Sequence, residues 1–385
     1  MSDPLMGVYS VDDLREIARR KLPRGLFEFI DRGNDDEVAM RDNIEAIQRI
    51  KLKPRVLADV STRKISKTVL GHEWQMPVAI GPTGSAGLTW YQGEIALAKA
   101  AAKAGIPFTL ATGSMTAMER VVQEAGGILW FQLYMWPERA LSHKLVERAR
   151  DAGYEALVFT VDTPVAPGRE YNLRNGFMIP FKFTRRNVID VSMHPGWLFG
   201  VICRYLVNGG LPKYENFPEH MQTRITALPM GRSMATNPSM SWDDVKALRE
   251  LWPRKPIIKG IQHPADALKA AELGADAIII SNHGGRVLDS APPTISSLPG
   301  IVDAVRGRTT ILIDSGFRRG ADVVKALAMG ADAVLIGRAP LYGTAFAGEA
   351  GAMRAIQLYR DEIDRVLGLI GCRDVADLGP EHIAA

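Results

Sequence analysis

Eight short apolar runs punctuate the chain after residue 75, at 76–80, 107–111, 128–133, 156–161, 256–259, 277–280, 310–313 and 333–336. Each is four to six residues long and bounded by polar or turn-forming residues. Runs this short, apolar at successive positions, read as strands covered on both faces, as in a parallel sheet. Most lead into an alanine-rich segment at helical spacing, as at 94–104, 115–124, 265–273 and 321–329. Strand and helix alternating eight times predict an α/β protein built as a closed (β/α)8 TIM barrel. An open doubly wound sheet is the alternative. It is weakened because no Gly-x-Gly-x-x-Gly follows the first strand.

A helical segment precedes the barrel. Ser10 is placed to cap its first helix, Asp12 and Asp13 favour the positive end, and Leu22-Pro23 stops it. The alternation fails once, between Asp162 and about Trp242. That gap is too long for an ordinary loop, so an insertion at about 181–240 is expected after the fourth strand, on the face where barrel loops carry function. It holds Phe181, Lys182, Phe183, Arg185, Arg186, Trp197, Phe199, Val201, Ile202, Arg204, Tyr205, Lys213 and Tyr214. Such a mixture suits a membrane-surface patch, with Trp197, Phe199, Val201 and Ile202 expected to enter the interface and Lys182, Arg185, Arg186, Arg204 and Lys213 to meet anionic headgroups; a lid and a subunit contact are the alternatives. Ser241 and the helix that follows restore the pattern. Residues 1–385 are therefore read as one domain.

Bulk properties change this picture little. With 46% hydrophobic and 23% charged residues the composition is that of an ordinary globular protein. A net charge of +4, without a basic run or an aromatic RNA-binding signature, gives no reason to expect nucleic acid. Cys203 and Cys372 lie far apart, so free thiols in a reducing compartment are expected and no metal site. The first residues lack the basic start and apolar core of a secretory signal. No stretch approaches the roughly 18 apolar residues of a spanning helix.

The chemistry gathers at the strand ends, where a barrel carries its active face. The sixth strand runs into Ser281-Asn282-His283-Gly284-Gly285-Arg286. An imidazole suited to taking a proton near neutral pH stands there beside a guanidinium suited to gripping a carboxylate. Asp162, ending the fourth strand, is placed to fix the imidazole tautomer. Arg169 lies a little beyond it, forming with Arg286 a cationic pair for a substrate carboxylate, and Tyr134 offers one more hydrogen bond. After the last two strands, 314–320 (Asp314, Gly316, Arg318) and Gly337-Arg338 join glycine-rich turns to arginines, a phosphate-binding combination. Pro82-Thr83-Gly84, Thr112, Gln132 and Thr160 end earlier strands and suit a flat ring bearing carbonyls and an N–H. Lys259 can offset negative charge on that ring when it is reduced. Flavin mononucleotide fits both ends. Each residue also has a plainer reading as a cap, a structural ion pair or solvated surface, and only their common barrel face argues against it.

These residues, in this order, resemble the FMN-dependent α-hydroxy-acid dehydrogenases and oxidases. The likeness runs through Lys21-Leu22-Pro23, 53–60, Phe131-Gln132-Leu133-Tyr134, 160–164, Lys259-Gly260, 281–286, 314–320, Gly337-Arg338 and Gly371-Cys372. It implies oxidation of an (S)-2-hydroxy acid to the 2-oxo acid with reduction of FMN. By position His283 matches the family's base and Asp162 its partner. Arg169 and Arg286 match the carboxylate clamps, Tyr134 the active-site tyrosine, and Lys259 the lysine beside the flavin. Ser281 falls among the cofactor-binding positions. One position departs: Phe29 stands where the family commonly has a tyrosine assisting carboxylate binding, a hydrogen bond whose loss costs about 1–1.5 kcal/mol.

Gly113 leaves room where glycolate-oxidising relatives carry a bulky side chain, 251–255 resembles the mandelate dehydrogenase branch, and 194–197 is similar to bacterial membrane L-lactate dehydrogenases. A bulky or aromatic acid is thus expected first and lactate second. Electrons are expected to pass from FMN to a quinone-type acceptor, with oxygen as the alternative. A modified or peptide-borne hydroxy acid is a further reading, prompted by Phe29. A flavin-binding barrel without catalysis is the reading from another class, opposed by the intact His283, Asp162 and both arginines. The resemblance also implies a homotetramer. A cytoplasmic location is expected, with peripheral attachment to an anionic membrane on its inner face.

Overall fold

The computed structural model describes residues 4–177, 184–226 and 236–384. Phe181, Lys182 and Phe183 of the expected insertion lie outside the described residues.

Three helices come first: α1 (Val11–Lys21), α2 (Arg24–Asp31) and α3 (Val38–Arg49). The Ser10 hydroxyl accepts the Asp13 N–H at 3.1 Å, capping α1 as its sequence predicts. Val11, Leu14 and Ala18 form its buried stripe, which packs on the C-terminal helix Arg338–Ile370. A two-stranded antiparallel hairpin follows, β1 (Lys67–Val69) and β2 (His72–Trp74). Then come eight parallel strands: β3 (Val78–Ile80), β4 (Phe108–Ala111), β5 (Leu129–Leu133), β6 (Ala156–Thr160), β7 (Lys255–Ile261), β8 (Ala277–Ile280), β9 (Thr310–Ile313) and β10 (Ala333–Ile336). They pair in sequence, and β10 returns to β3, closing the barrel. The open sheet is thereby excluded.

Alternation along each strand sorts its side chains into two cores. Ala79, Trp130, Ala156, Val158, Ile257, Ala277, Ile279, Leu312, Ala333 and Leu335 fill the barrel interior. Their neighbours, such as Val78, Phe131, Phe159, Ile258 and Ile278, pack outward against the helices. Val69 and Trp74 of the hairpin close the interior at the strands' N-terminal end, with the Trp74 and Trp130 rings 5.6 Å apart. Stepping two residues on from the inward apolar positions gives Gln132, Thr160, Lys259, Ser281, Asp314 and Gly337. The barrel axis thus changes from apolar to polar where the strands end.

The expected insertion lies between β6 and β7; Glu170–Asn175 precedes it, and its described residues include Arg185–Ser192, a π-helical turn Leu198–Cys203 and Arg204–Val207. Ser241 and Asp244 form a capping box for Trp242–Leu251, which restores the barrel rhythm. The insertion is seated on the loop after β3: the Trp197 indole N–H donates to the Leu88 carbonyl at 2.6 Å, and the Tyr205 hydroxyl accepts the Gln92 N–H at 3.2 Å. This corrects the expected outward set. Trp197 is half-buried and Val201 buried, because these residues, four apart, share the face turned to the barrel. Lys213 is drawn onto Gln222 and Glu215. Phe199 does face outward, together with Val188, Ile189, Met193, Leu206 and Val207. Among the described residues no helix is long and apolar enough to cross a membrane.

Candidate active site

His283 sits at the centre of the polar mouth. Its backbone has φ +58, and Gly284 and Gly285 follow at +71 and +70. A non-glycine residue in this region costs roughly 1–2 kcal/mol, so the turn is held rather than merely permitted. The ring is fixed from both sides. Nδ1 lies 3.0 Å from Asp162 Oδ1 and Nε2 lies 3.2 Å from the Tyr134 hydroxyl, whose ring is nearly parallel to the imidazole at 14°. A carboxylate accepts only, so Nδ1 carries the proton and Nε2 presents a lone pair. Burial pushes the imidazole below its ordinary pKa and outweighs the upward pull of Asp162. The ring is thus neutral and basic at Nε2. For Asp162 burial works upward, but His283 and Lys259 together hold the carboxyl below its usual range. Its Oδ2 is buried without a hydrogen-bond partner.

Two guanidinium groups stand beside this pair. Arg286 donates to the Arg32 and Phe29 carbonyls, both at 2.7 Å, which ties the clamp to the end of α2. Its guanidinium carbon lies 5.6 Å from the Phe29 ring centre, and that of Arg169 5.8 Å from the same ring. Burial, and then the charge of Arg286, bring Arg169 down to about 10. The Arg169 Nε is buried and unpartnered. Two crowded cations with an orphaned donor define a place for an anion. Phe29 and Phe177, 5.7 Å apart, make the adjoining wall apolar.

Below the base, Lys259 is almost fully buried. Its ammonium pairs with Asp314 at 3.2 Å and donates to the Ser281 hydroxyl at 2.7 Å. Desolvation disfavours its charge, yet Asp314 and Asp162 more than compensate and hold it protonated. Gln132 links two neighbouring strand ends: its Oε1 accepts the Thr112 N–H at 3.2 Å and its Nε2 donates to Thr160 Oγ1 at 3.0 Å. The Ser85 N–H donates to the Gly113 carbonyl at 3.0 Å, bringing the 82–84 turn against the loop after β4.

At the far side Arg338 is half-buried and donates to the Gly284 carbonyl at 3.0 Å. Burial, with Arg286 and Arg318 adding to it, lowers this guanidinium to about 10. One feature of the phosphate reading changes. The N–H groups of Arg318 and Arg319 donate to Asp322, and that of Gly320 to Glu362, so carboxylates already cap the helix starting there. The helix starting at Arg338 has no side-chain cap. An anion is therefore better served by the 315–317 turn, Gly337-Arg338 and the two arginines. Crowded like charges beside an uncapped helix start fit a phosphate here, as the paired guanidinium groups fit a carboxylate beside Arg169.

Sequence reasoning passed over several residues. Ser315 accepts the Gly284 N–H at 2.9 Å and donates to Asp314 at 2.7 Å, joining the base turn to the phosphate turn. Tyr214 places its ring edge 3.8 Å from where a side chain on Gly113 would begin. The carbonyls that anchor Arg286 had no signal, since any residue supplies one.

A barrel with a His–Asp pair, two arginines and a basic phosphate cradle at the strand ends defines a flavin-dependent oxidoreductase acting on a small acid. The family model described as FMN-dependent dehydrogenase matches residues 18–385, and the chain belongs to that family. It is 40% identical to the (S)-mandelate dehydrogenase of Pseudomonas putida over 98% of this chain and 94% of that protein. It is 41% identical to the L-lactate dehydrogenase of Chromohalobacter salexigens over 96% and 94%. The crystal structure of monotopic membrane protein (S)-mandelate dehydrogenase superposes with a TM-score of 0.92 at 40% identity, covering 98% of this chain and 99% of that one. A mandelate oxidase structure with (S)-2-phenylpropionate gives 0.81 at 33%, covering 98% of each chain. The cofactor is FMN, and the chain is an FMN-dependent 2-hydroxy-acid dehydrogenase.

Proposed function

We propose that the protein oxidises a bulky or aromatic (S)-2-hydroxy acid, of the mandelate kind, to its 2-oxo acid and passes the electrons to a quinone-type acceptor. One observation carries this reading: a neutral imidazole fixed between Asp162 and Tyr134, with Arg169 and Arg286 alongside. FMN, when bound, supplies the two-electron acceptor. Arg169 and Arg286 grip the substrate carboxylate, and Tyr134 donates to its hydroxyl oxygen. His283 Nε2 takes one proton, from the hydroxyl if the α-hydrogen leaves with its electron pair, or from carbon if it leaves as a proton. Two electrons and two hydrogens leave the substrate by either route. Asp162 stabilises the imidazolium so formed.

Pro82, Thr83, Gly84, Thr112, Gln132, Thr160 and Ser281 would line the flavin ring, with Lys259, held by Asp314, offsetting its charge after reduction. Gly316, Arg318, Gly337 and Arg338 would hold the phosphate. The Phe29–Phe177 wall and the relatedness to mandelate dehydrogenase support an aromatic side chain. Lactate is the second reading, supported by 41% identity to an L-lactate dehydrogenase, beside 40% to the mandelate dehydrogenase. The test is anaerobic bleaching of the flavin by mandelate, lactate, glycolate and longer 2-hydroxy acids. Fastest bleaching by glycolate would overturn the aromatic assignment, and no bleaching by any of them the reaction itself.

We also propose that residues 1–385 act as one domain and assemble as a homotetramer in the cytoplasm, peripheral to the inner face of the membrane. The membrane role is supported by the outward apolar set of Val188, Ile189, Met193, Phe199, Leu206 and Val207. Likeness to a monotopic membrane protein supports it independently.

A further inference from the structure

Helix α3 belongs to the N-terminal segment, yet it lies against both functional turns. A Cβ on Gly285 would stand 2.5 Å from the Met40 backbone nitrogen, and one on Gly316 would stand 2.8 Å from the Asn43 carbonyl oxygen. Only glycine allows this approach at the positive φ of both positions. Between the two contacts Asn43 and Asn282, both buried, face each other amide to amide. Each Nδ2 donates to the other's Oδ1 at 2.9 Å. The pair also reaches outward. Asn282 Oδ1 accepts the Gly285 N–H at 3.1 Å, and its Nδ2 donates to the Pro292 carbonyl at 3.1 Å. Asn43 Oδ1 accepts the Thr294 N–H at 3.2 Å, and the Thr294 hydroxyl donates to the Asp314 carbonyl at 2.6 Å.

We infer that Asn43 is a positioning residue for the oxidation: by gripping Asn282 it holds three successive left-handed residues so that His283 meets Asp162 and Tyr134. The inference rests on the proposed role of His283 as base. The turn carries bonds of its own, from the His283 N–H to the Ser281 hydroxyl and from the Gly285 N–H to the Asn282 carbonyl, both at 3.0 Å, and the reciprocal amide pair fixes the Asn282 side chain from α3. The Arg286 clamp is tied separately, to α2 carbonyls. Loss of Asn43 therefore moves the base more than the carboxylate grip.

The experiment compares FMN-loaded Asn43→Ala, Asn282→Ala and the double variant by anaerobic stopped-flow reduction with the best acid of the substrate panel. The corresponding 2-oxo acid is titrated alongside. His283→Ala is run in parallel; if it reduces its flavin normally, the reading of His283 as base fails, whatever Asn43 does. With that role upheld, Asn43→Ala slows reduction on the order of 10²-fold, the cost of a small misplacement of a reacting group. Its affinity for the 2-oxo acid stays within about threefold, the split that separates positioning from binding. The double variant is no slower than the slower single one, because both remove one interaction. Asn237→Ala is the control: a buried amide bonded to Trp136 and Ser239, away from these turns. It is expected to lower stability without slowing reduction. Should Asn43→Ala fail to fold, Asn43→Ser decides, since it leaves a small neutral polar group in the pocket but cannot make the two-point amide pair with Asn282. Reduction within about threefold of the parent by the deciding variant, a matching loss in Asn237→Ala, or single losses that multiply in the double variant would each overturn the inference.

Discussion

Replacing Asp162 by asparagine removes one charge and leaves the shape of the site nearly unchanged. Asp162 Oδ1 lies 3.0 Å from His283 Nδ1, and the two side chains are only 11% and 19% exposed, so little water can substitute. The hydrogen bond is charge-assisted once the imidazole is protonated, worth about 1.5–3 kcal/mol. At tenfold per 1.36 kcal/mol, that alone slows flavin reduction about 10- to 150-fold. Treating the pair instead as point charges about 4 Å apart at an effective dielectric of 20 gives about 4 kcal/mol, or roughly 10³-fold. The loss is bracketed between these. The pH dependence has a definite sign. Burial depresses the His283 pKa and Asp162 opposes it, so without the carboxylate the apparent pKa of the base falls further. The parent loses activity as pH drops through a value below the ordinary imidazole range, and Asp162→Asn loses it at lower pH still, from a reduced plateau. Anaerobic stopped-flow reduction from pH 5 to 9 reads both quantities. A variant within threefold of the parent, or one whose apparent pKa moves upward, would refute the role given to Asp162.

Lys259→Met leaves the Asp314 carboxylate without its buried cation, and breaking such a pair costs about 3–5 kcal/mol. The urea midpoint and flavin content should both drop, and an unchanged midpoint with full flavin would count against the pairing. Phe29→Tyr adds a hydroxyl beside both arginines; one hydrogen bond of about 1–1.5 kcal/mol corresponds to a gain of about 5- to 12-fold in kcat/KM for small acids. No gain with lactate or glycolate would show that the hydroxyl does not reach the substrate. The outward apolar set predicts co-sedimentation with anionic liposomes at low salt, lost on replacing Val188, Ile189, Met193, Phe199, Leu206 and Val207 by serine. Equal pelleting of the two proteins, or of neither, would remove the membrane role.

The barrel and its mouth were legible in the sequence for one physical reason. Inward positions of a closed barrel are forced to be apolar in its packed centre and free to be polar at its rim, so Lys259, Ser281 and Asp314 stand out against the runs they end. The hairpin β1–β2 was not legible, because three-residue strands of mixed exposure have no period to detect. The insertion was legible as a break in rhythm and not as a surface. Trp197 and Val201, four apart, turn inward although they are as apolar as Phe199, and only the packing on the loop after β3 decides which face is covered. Asn43 had no local signal at all: its partner lies 239 positions away, and an asparagine inside a helix ordinarily reads as a solvated or capping residue.

The charge at the mouth shows why the scaffold and its ligands belong together. Lys259, Arg169, Arg286, Arg318 and Arg338 supply five cationic side chains, and the carboxylates among the proposed site residues are Asp162 and Asp314. Burial and mutual repulsion bring two of these arginines down to about 10, so the folded mouth bears an electrostatic cost. In the proposed reading, a phosphate near Arg318 and Arg338 would offset it at one end, and a substrate carboxylate between Arg169 and Arg286 at the other. Negative charge on a reduced ring beside Lys259 would offset it in the middle. A cofactor phosphate and a substrate carboxylate that bind the folded chain and not the unfolded one would each add to stability by mass action. The strain in the His283 turn and the crowding of the arginines are then two forms of one arrangement. The N-terminal helices and the strand ends hold the polar groups where the anions will be, and the anions complete the structure.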